Sequence, residues 1–165
     1  MAAIRTRSNA VYYALSEDDG RNWTTPEPLR YPGGKPILNP NAPCPIIRLS
    51  DGRIVLFFYN ARQGNTFGPR NPIWMVVGRE NLKGRQPVTF GEPVKFLEVK
   101  GAPPLGSTYV QIASYSSLVE HDGKLLLFYN DCKHWVLFSH VPLIAPFSSS
   151  GPVPAKTFDT PATPP

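Results

Sequence analysis

The sequence predicts an all-β protein built from short antiparallel strands. Pro and Gly fill 33 of its 165 positions, 20 and 13 respectively. In a helix interior each Pro costs about 3 kcal/mol and each Gly about 1 kcal/mol, so long helices are excluded. The apolar residues fall in short runs rich in β-branched and aromatic types, bounded by Gly, Pro, Asn or Asp. Asp-Gly pairs at 19–20, 51–52 and 122–123 punctuate those runs, and such pairs favour tight hairpins. With 41% hydrophobic and 12% aromatic residues, the chain carries enough apolar surface to bury a core.

The elements follow in order. Ile4-Arg-Thr-Arg7 leads into a strand at 11–15, Val-Tyr-Tyr-Ala-Leu, which stops at a polar turn. Strands at 46–49 and 54–59 flank Asp51-Gly52, the second being an unbroken apolar run that ends at Asn60. A strand at 72–77 ends at Gly78, and one at 94–99 follows Gly91-Glu-Pro93. Strands at 112–119 and 125–129 flank Asp122-Gly123, and a last one is expected at 135–138. The longest uncharged apolar runs, 54–59 and 125–129, fall far short of the roughly 20 residues of a membrane-spanning helix. No membrane span is expected.

Two of these hairpins are copies of one another. Leu49-Ser-Asp-Gly-Arg-Ile-Val-Leu-Phe-Phe-Tyr-Asn60 recurs as Glu120-His-Asp-Gly-Lys-Leu-Leu-Leu-Phe-Tyr-Asn130, with one residue fewer in its second strand. Recurring units of about 40–50 residues are the mark of propeller blades. The two Asp-Gly turns lie 71 residues apart, from 51 to 122, so residues 100–109 are expected to form an extended loop, and about two and a half blades fit the chain. After Val141 come seven of the 20 prolines, with Ser148-Ser-Ser150 and Thr/Ala/Pro repetition. The folded domain is therefore expected to span 1–143, and 144–165 to be a flexible tail.

The formal net charge is +5, and much of it is concentrated. Arg48, Arg53, Arg62, Arg70, Arg79, Lys83 and Arg85 face only Asp51 and Glu80 within the stretch 48–85. Such a stretch is either a solvated face or a surface that meets an anion, since guanidinium presents a planar fork to carboxylate or phosphate. No nucleic-acid-binding motif accompanies it, so nucleic acid is not expected as a partner. Cys44 and Cys132 lie outside any C-x-x-C or Cys/His ligand spacing; no metal and no cofactor are expected, Cys132-Lys-His134 being the one metal alternative. His121 and His134 have no nucleophile or Asp at a diagnostic spacing. No apolar segment of a secretory signal is visible at the start of the chain, which leaves localisation open.

One local motif goes further. Ser16-Glu-Asp18-Asp-Gly20-Arg-Asn-Trp23, behind the strand at 11–15, fills every fixed position of S-x-D-x-G-x-x-W and resembles the Asp box of the sialidase (neuraminidase) superfamily of six-bladed β-propellers. Physically it suits a hairpin turn. Ser16 and Asp18 can accept hydrogen bonds from turn amides, Gly20 permits positive φ, and Trp23 can pack into the blade. The matching turn of the next blade, residues 78–86, lacks the Asp and the Trp. In the family the box is scaffold on the face away from the cleft, so it speaks to architecture and not to activity.

The resemblance extends over roughly 11–141. Asn39-Pro-Asn41, Arg48-Leu-Ser-Asp-Gly-Arg-Ile-Val-Leu56 and Tyr59-Asn60 are similar to a strand pair of bacterial sialidase-like repeat proteins. In those proteins an arginine leads the following strand, which Arg70-Asn-Pro-Ile-Trp-Met-Val-Val77 matches. By that resemblance Arg70 is the last of the family's three carboxylate-binding arginines, with Arg62 in Asn60-Ala-Arg-Gln63 as the second candidate. Ala113-Ser-Tyr115-Ser-Ser-Leu118 resembles the strand carrying the tyrosine nucleophile, which makes Tyr115 the catalytic candidate.

In such enzymes a glutamate draws the proton from the phenol, and the tyrosinate attacks the anomeric carbon. A neutral nucleophile suits an anionic sugar, and a cluster of guanidinium groups holds its carboxylate. From the residues alone Tyr115 reads equally as a core aromatic on an inner strand, and Arg70 as a loop cation before Pro72.

The resemblance implies a retaining exo-α-sialidase type of glycoside hydrolase, expected as the C-terminal part of a secreted or cell-surface parent. Its first triad arginine, its acid/base aspartate and its glutamate would then mostly precede residue 1. The chain alone is expected to be weak or inactive. Its expected partners are sialylated or other anionic glycans, the remaining blades, or a homo-oligomer. A non-catalytic glycan- or protein-binding Asp-box propeller and a propeller hydrolase for another sugar remain as alternatives.

Overall fold

A computed structural model describes residues 1–62, 70–99, 112–131, 135–142 and 156–158. Among the described residues there is no helix, and the strands form three sheets, none closed on itself. The first sheet has the order β1 (Ala2–Arg5), β2 (Val11–Ala14), β3 (Glu27–Pro28).

The second sheet is an antiparallel meander of β4 (Ile46–Arg48), β5 (Arg53–Phe58) and β6 (Ile73–Glu80), completed by β7 (Val88–Phe90) and β8 (Val94–Val99). Both of the last two pair with β6, β7 opposite Gly78–Glu80 and β8 opposite Ile73–Met75, so they act as one interrupted strand. The interruption falls at Gly91-Glu92-Pro93, where Pro has no N–H to give the ladder. The Gly91 N–H bridges the gap to the Val77 carbonyl at 2.9 Å.

The third sheet has β10 (Lys124–Asp131) between β9 (Ser117–His121) and β11 (Trp135–Val141). Of the segment expected as a tail, the described part is β12 (Lys156–Phe158), which pairs with β8 in parallel. The expected loop at 100–109 lies outside the described residues.

Sheet packing follows from the two-residue period of a strand. In β5, Ile54, Leu56 and Phe58 enter a cluster with Val11, Tyr13, Leu29 and Ile37 of the first sheet region. Val55 and Phe57, with Tyr59 just beyond, enter a second cluster with Leu125, Leu127 and Tyr129 of β10. A strand covered on both faces must be apolar at every position, which is why 54–59 is a continuous hydrophobic run. In β10 the alternation is one-sided: Leu125, Leu127, Tyr129 and Asp131 are buried, while Lys124 and Phe128 are exposed. Cys44 lies in the first cluster as a buried free thiol, and burial pushes its pKa up to about 11.

The two repeated Asp-Gly turns differ in length. Asp122 and Gly123 both have positive φ, 48° and 69°, and close a two-residue hairpin between His121 and Lys124, as a type I′ turn does. At 51–52 only Gly52 is positive, at 82°, and the Leu49 N–H reaches the Arg53 carbonyl at 2.7 Å around a three-residue loop. Ser50, the extra residue, uses its N–H and hydroxyl to bind the Glu120 carboxylate on β9 at 2.7 and 2.8 Å. That bond ties the second sheet to the third at their turn ends.

The Ser16–Trp23 turn joins β2 to β3. The Ser16 hydroxyl donates to Asp18 Oδ1 at 2.9 Å and accepts from the Gly20 N–H at 2.7 Å. Asp18 Oδ1 accepts from the Asn22 N–H at 2.8 Å, and Oδ2 from Asn22 Nδ2 at 2.6 Å. Asp19 and Gly20 take positive φ, 57° and 86°. Trp23 departs from its expected place in the blade core. Its ring is half exposed and lies over Gly20, where Nε1 donates to the Gly20 carbonyl at 2.9 Å. The indole has found its polar partner within the turn itself, and that bond holds it there.

Two tests follow from this packing. A Cβ on Gly78 would come within 2.7 Å of the Thr89 carbonyl and of Val88, so Gly78→Ala is expected to destabilise the chain by roughly 1–3 kcal/mol through overpacking, measured by urea unfolding. The hydrogen bonds from the Asn22 N–H, the Asn22 side chain and Ser16 hold the Asp18 carboxyl below the usual carboxylate range. Its contribution to stability is thus complete above the ordinary Asp value and disappears as pH falls through the lowered one. Thermal unfolding of the wild type and Asp18→Asn between pH 2 and 7 is expected to show the difference between them shrinking at the acid end.

Candidate functional site

The residues singled out for chemistry gather where β5 and β10 end, opposite the Asp-Gly turns. Asn39 organises one side. It is fully buried, donates through Nδ2 to the Ala42 carbonyl at 2.8 Å, and accepts the Tyr59 N–H on Oδ1 at 3.0 Å. The Asn39-Pro-Asn41 segment is thereby fixed against the end of β5.

Arg70 stands just before β6 and is only 6% exposed, so it is no solvated loop cation. Its Nη2 donates to the Asn41 carbonyl at 3.3 Å, while Nε is buried with no hydrogen-bond partner among the described residues. A buried N–H of a charged group without an acceptor is costly, and it is the kind of donor that a bound anion would satisfy. The Arg70 carbonyl accepts the Ile112 N–H at 2.9 Å. That bond attaches the segment leading to Tyr115.

Tyr59 is the joint between the two sheets. Its hydroxyl lies 2.9 Å from the Ile112 carbonyl and 2.6 Å from the Ala113 carbonyl, so its one proton is shared between two acceptors. Burial raises the Tyr59 phenol well above its ordinary value, and the nearby Arg70 charge opposes that only in part. Tyr59 therefore stays protonated and donates.

Tyr115 was expected within a strand at 112–119, but β9 begins only at Ser117. Ile112 makes a bridge to Asp131, Ala113 turns into the left-handed region with φ 53°, and a turn carries Tyr115. The turn is pinned from both sides, by Tyr59 as above and by Asn130. The Asn130 carbonyl accepts the Ala113 N–H at 2.9 Å, and its Oδ1 accepts the Tyr115 N–H at 3.3 Å. The Tyr115 side chain is 62% exposed, which removes the reading of a core aromatic. The ring stands out from the same end that holds Arg70.

Arg62 is exposed, a few residues past Tyr59, and the segment 63–69 lies outside the described residues. The rest of the arginine-rich stretch divides. Arg53 pairs with Asp51 at 2.6 Å, Arg48 approaches Glu80 at 3.5 Å, and Arg53 faces Arg79 across the β5–β6 ladder. These groups belong to the turn end of the second sheet, away from Tyr59. Only Arg70 among them is built into the end that carries Tyr115.

Sequence reasoning missed Asp131 and Asn130. Asp131 is 6% exposed, with Oδ1 buried and unpartnered among the described residues, and it pairs with Ile112. Its charge, after burial, helps raise the Tyr129 phenol. The one available signal was the Tyr-Asn ending shared by both repeats, Tyr59-Asn60 and Tyr129-Asn130. Among the described residues no group of three or more His, Cys, Asp or Glu is placed to hold a metal, and no helix is long and apolar enough to cross a membrane.

No family model, no curated protein and no solved structure matches the chain.

Tyr59→Phe would leave the Ile112 and Ala113 carbonyls without their shared donor. The expected cost is about 1–3 kcal/mol, seen as a lower denaturation midpoint. Amide exchange should accelerate at 112–115 more than in β5.

Proposed function

We propose that the chain is part of a sialidase-like, six-bladed β-propeller hydrolase that binds terminal sialic acids or similar anionic sugars. The observation that carries this reading is the joining of Arg70 and the Tyr115 turn at one end of two neighbouring sheets, through the Ile112 N–H to Arg70 carbonyl bond. The buried guanidinium, with an unsatisfied Nε, suits a carboxylate that would both neutralise it and accept its hydrogen bonds. The exposed Tyr115 phenol is accessible to the anomeric carbon of a sugar held there, with the exposed Arg62 as a second candidate cation. The hairpin position of the Ser16–Trp23 turn, between β2 and β3, accords with the same family.

On this reading the anionic sugar is fixed by its carboxylate on Arg70, and the Tyr115 oxygen attacks the anomeric carbon once a base has taken its proton. A covalent glycosyl-tyrosine forms as the aglycone leaves, and water releases the sugar with retained configuration. The acid and the activating base come from blades outside this chain, so the chain alone binds sugar without robust turnover. The full-length parent would be secreted or displayed at the cell surface.

A second reading is favoured by the exposure of Tyr115 on a turn, since an exposed ring beside a buried cation also makes a glycan-binding surface without chemistry. Hydrolysis of a fluorogenic sialoside by the full-length parent separates the two. Tyr115→Phe is expected to lower kcat by at least about 10³-fold, the scale of losing a covalent nucleophile. Arg70→Met is expected to weaken substrate binding by roughly 10–100-fold, the worth of a lost charged hydrogen bond. Undiminished turnover in the tyrosine variant would sink the nucleophile assignment. Glycan binding by a parent with no turnover would favour the binding module.

A further inference from the structure

Two groups of opposite charge are buried at the end that carries Tyr115. Arg70 and Asp131 are each 6% exposed. Among the described residues Arg70 Nε and Asp131 Oδ1 are both buried without a hydrogen-bond partner, so this donor and this acceptor do not bond to one another.

Ile112 stands between them. Its N–H donates to the Arg70 carbonyl at 2.9 Å, and it forms a bridge with Asp131. The next N–H, that of Ala113, goes to the Asn130 carbonyl beside Asp131. This is the alternation of an extended segment with a neighbour on each side, which puts the Arg70 and Asp131 backbones about two strand spacings, roughly 10 Å, apart. Their side chains enter one seam. Asp131 continues the buried row of Leu125, Leu127 and Tyr129 in β10, the row packed against the second sheet. The Arg70 guanidinium meets the Asn41 carbonyl, and its charge acts on the phenol of Tyr59, which belongs to the same cluster.

The chemistry of the two unsatisfied atoms narrows what fits between them. A buried carboxylate oxygen without a donor is as costly as a buried N–H without an acceptor. Asp131 as a carboxylate only accepts, so an O–H or N–H has to come to it. A sulfate, a phosphate diester or a plain carboxylate would satisfy Arg70 and set its own charge against Asp131. A neutral sugar would satisfy Asp131 and leave the guanidinium uncompensated. A sugar acid carries both complements on one small ring.

We propose that Asp131 is a second recognition group of the Arg70 site, accepting a hydrogen bond from a hydroxyl or amide N–H of the sugar acid whose carboxylate Arg70 holds. The proposal rests on the sugar-acid reading given above and deepens it: Asp131 selects hydroxylated carboxylates against simple anions.

Titration of the chain with N-acetylneuraminic acid and with cyclohexanecarboxylate, followed by amide chemical shifts, tests it. Both probes carry a carboxylate on a six-membered ring, and only the first has hydroxyl and amide donors. The sign of the effect is decisive. A carboxylate that merely sits near an anion repels it, so removing its charge tightens binding; one that accepts a hydrogen bond from the ligand weakens binding when it is removed. Asp131→Leu, which deletes charge and acceptor together, is expected to raise the dissociation constant of the sugar acid roughly 10-fold, the scale of a charged hydrogen bond, and to leave that of cyclohexanecarboxylate unchanged or lower. Asp131→Asn keeps a neutral acceptor and is expected to show a smaller loss in the same direction. The wild type is expected to bind the sugar acid at least about 10-fold more tightly than cyclohexanecarboxylate, a comparison that needs no variant. Sugar-acid binding that both Asp131 variants leave unchanged or tighten, or equal affinity of the wild type for the two probes, would overturn the role of Asp131, while loss of binding in Arg70→Met would still uphold the carboxylate site. A wild type that binds no sugar acid would overturn both.

Discussion

The middle sheet has to bury both of its faces, and the rest of the structure depends on that requirement. A sheet with one wet face is written in alternating apolar and polar residues, but Ile54 to Tyr59 permits no wet face. Its even positions demand one neighbour and its odd positions another. The first and third sheets are short, with three strands each, and each supplies one of those neighbours. The order of the stack is thereby set by six consecutive residues, and so is the end of it at which the loops emerge.

The candidate site inherits its shape from this packing. Tyr59 continues the row of Val55 and Phe57 into the core, and its hydroxyl is where that row meets the backbone of the next sheet. Arg70 is fixed on one side of the same contact and the Tyr115 turn on the other. The placing of the buried Arg70 guanidinium relative to the exposed Tyr115 phenol is therefore governed by hydrophobic stacking several residues below.

Much of the fold was legible because it depends on local signals. The period of two, the Asp-Gly pairs and the Leu49/Glu120 repeat located β4, β5, β6, β8 and β10 to within a few residues. The pairing of β7 with the far half of β6 was not legible, because Val88-Thr-Phe90 is too short a run to stand out. The strand drawn through Tyr115 was wrong in extent. Ala113 in the left-handed region breaks it, and no propensity argument places a non-glycine residue there; the cause is the pull of Tyr59 and Asn130 from other strands. Charge was also misleading in sequence. Arg48, Arg53 and Arg79 lie close to Arg70 along the chain, yet a strand reverses direction between them and the site. Burial of Arg70 and Asp131 depends on which neighbours close over them, and that is a property of the stack and not of their own segments.

Cys44 gives the stack a clock. Its thiol lies in the cluster between the first two sheets, and at neutral pH its raised pKa leaves almost no thiolate. Since only the thiolate reacts readily, alkylation of Cys44 has to wait until the first sheet lifts from the second. The speed at which a maleimide or disulfide reagent consumes that sulfur is then a reading of how often these two layers part, taken under native conditions and from a single atom already in place.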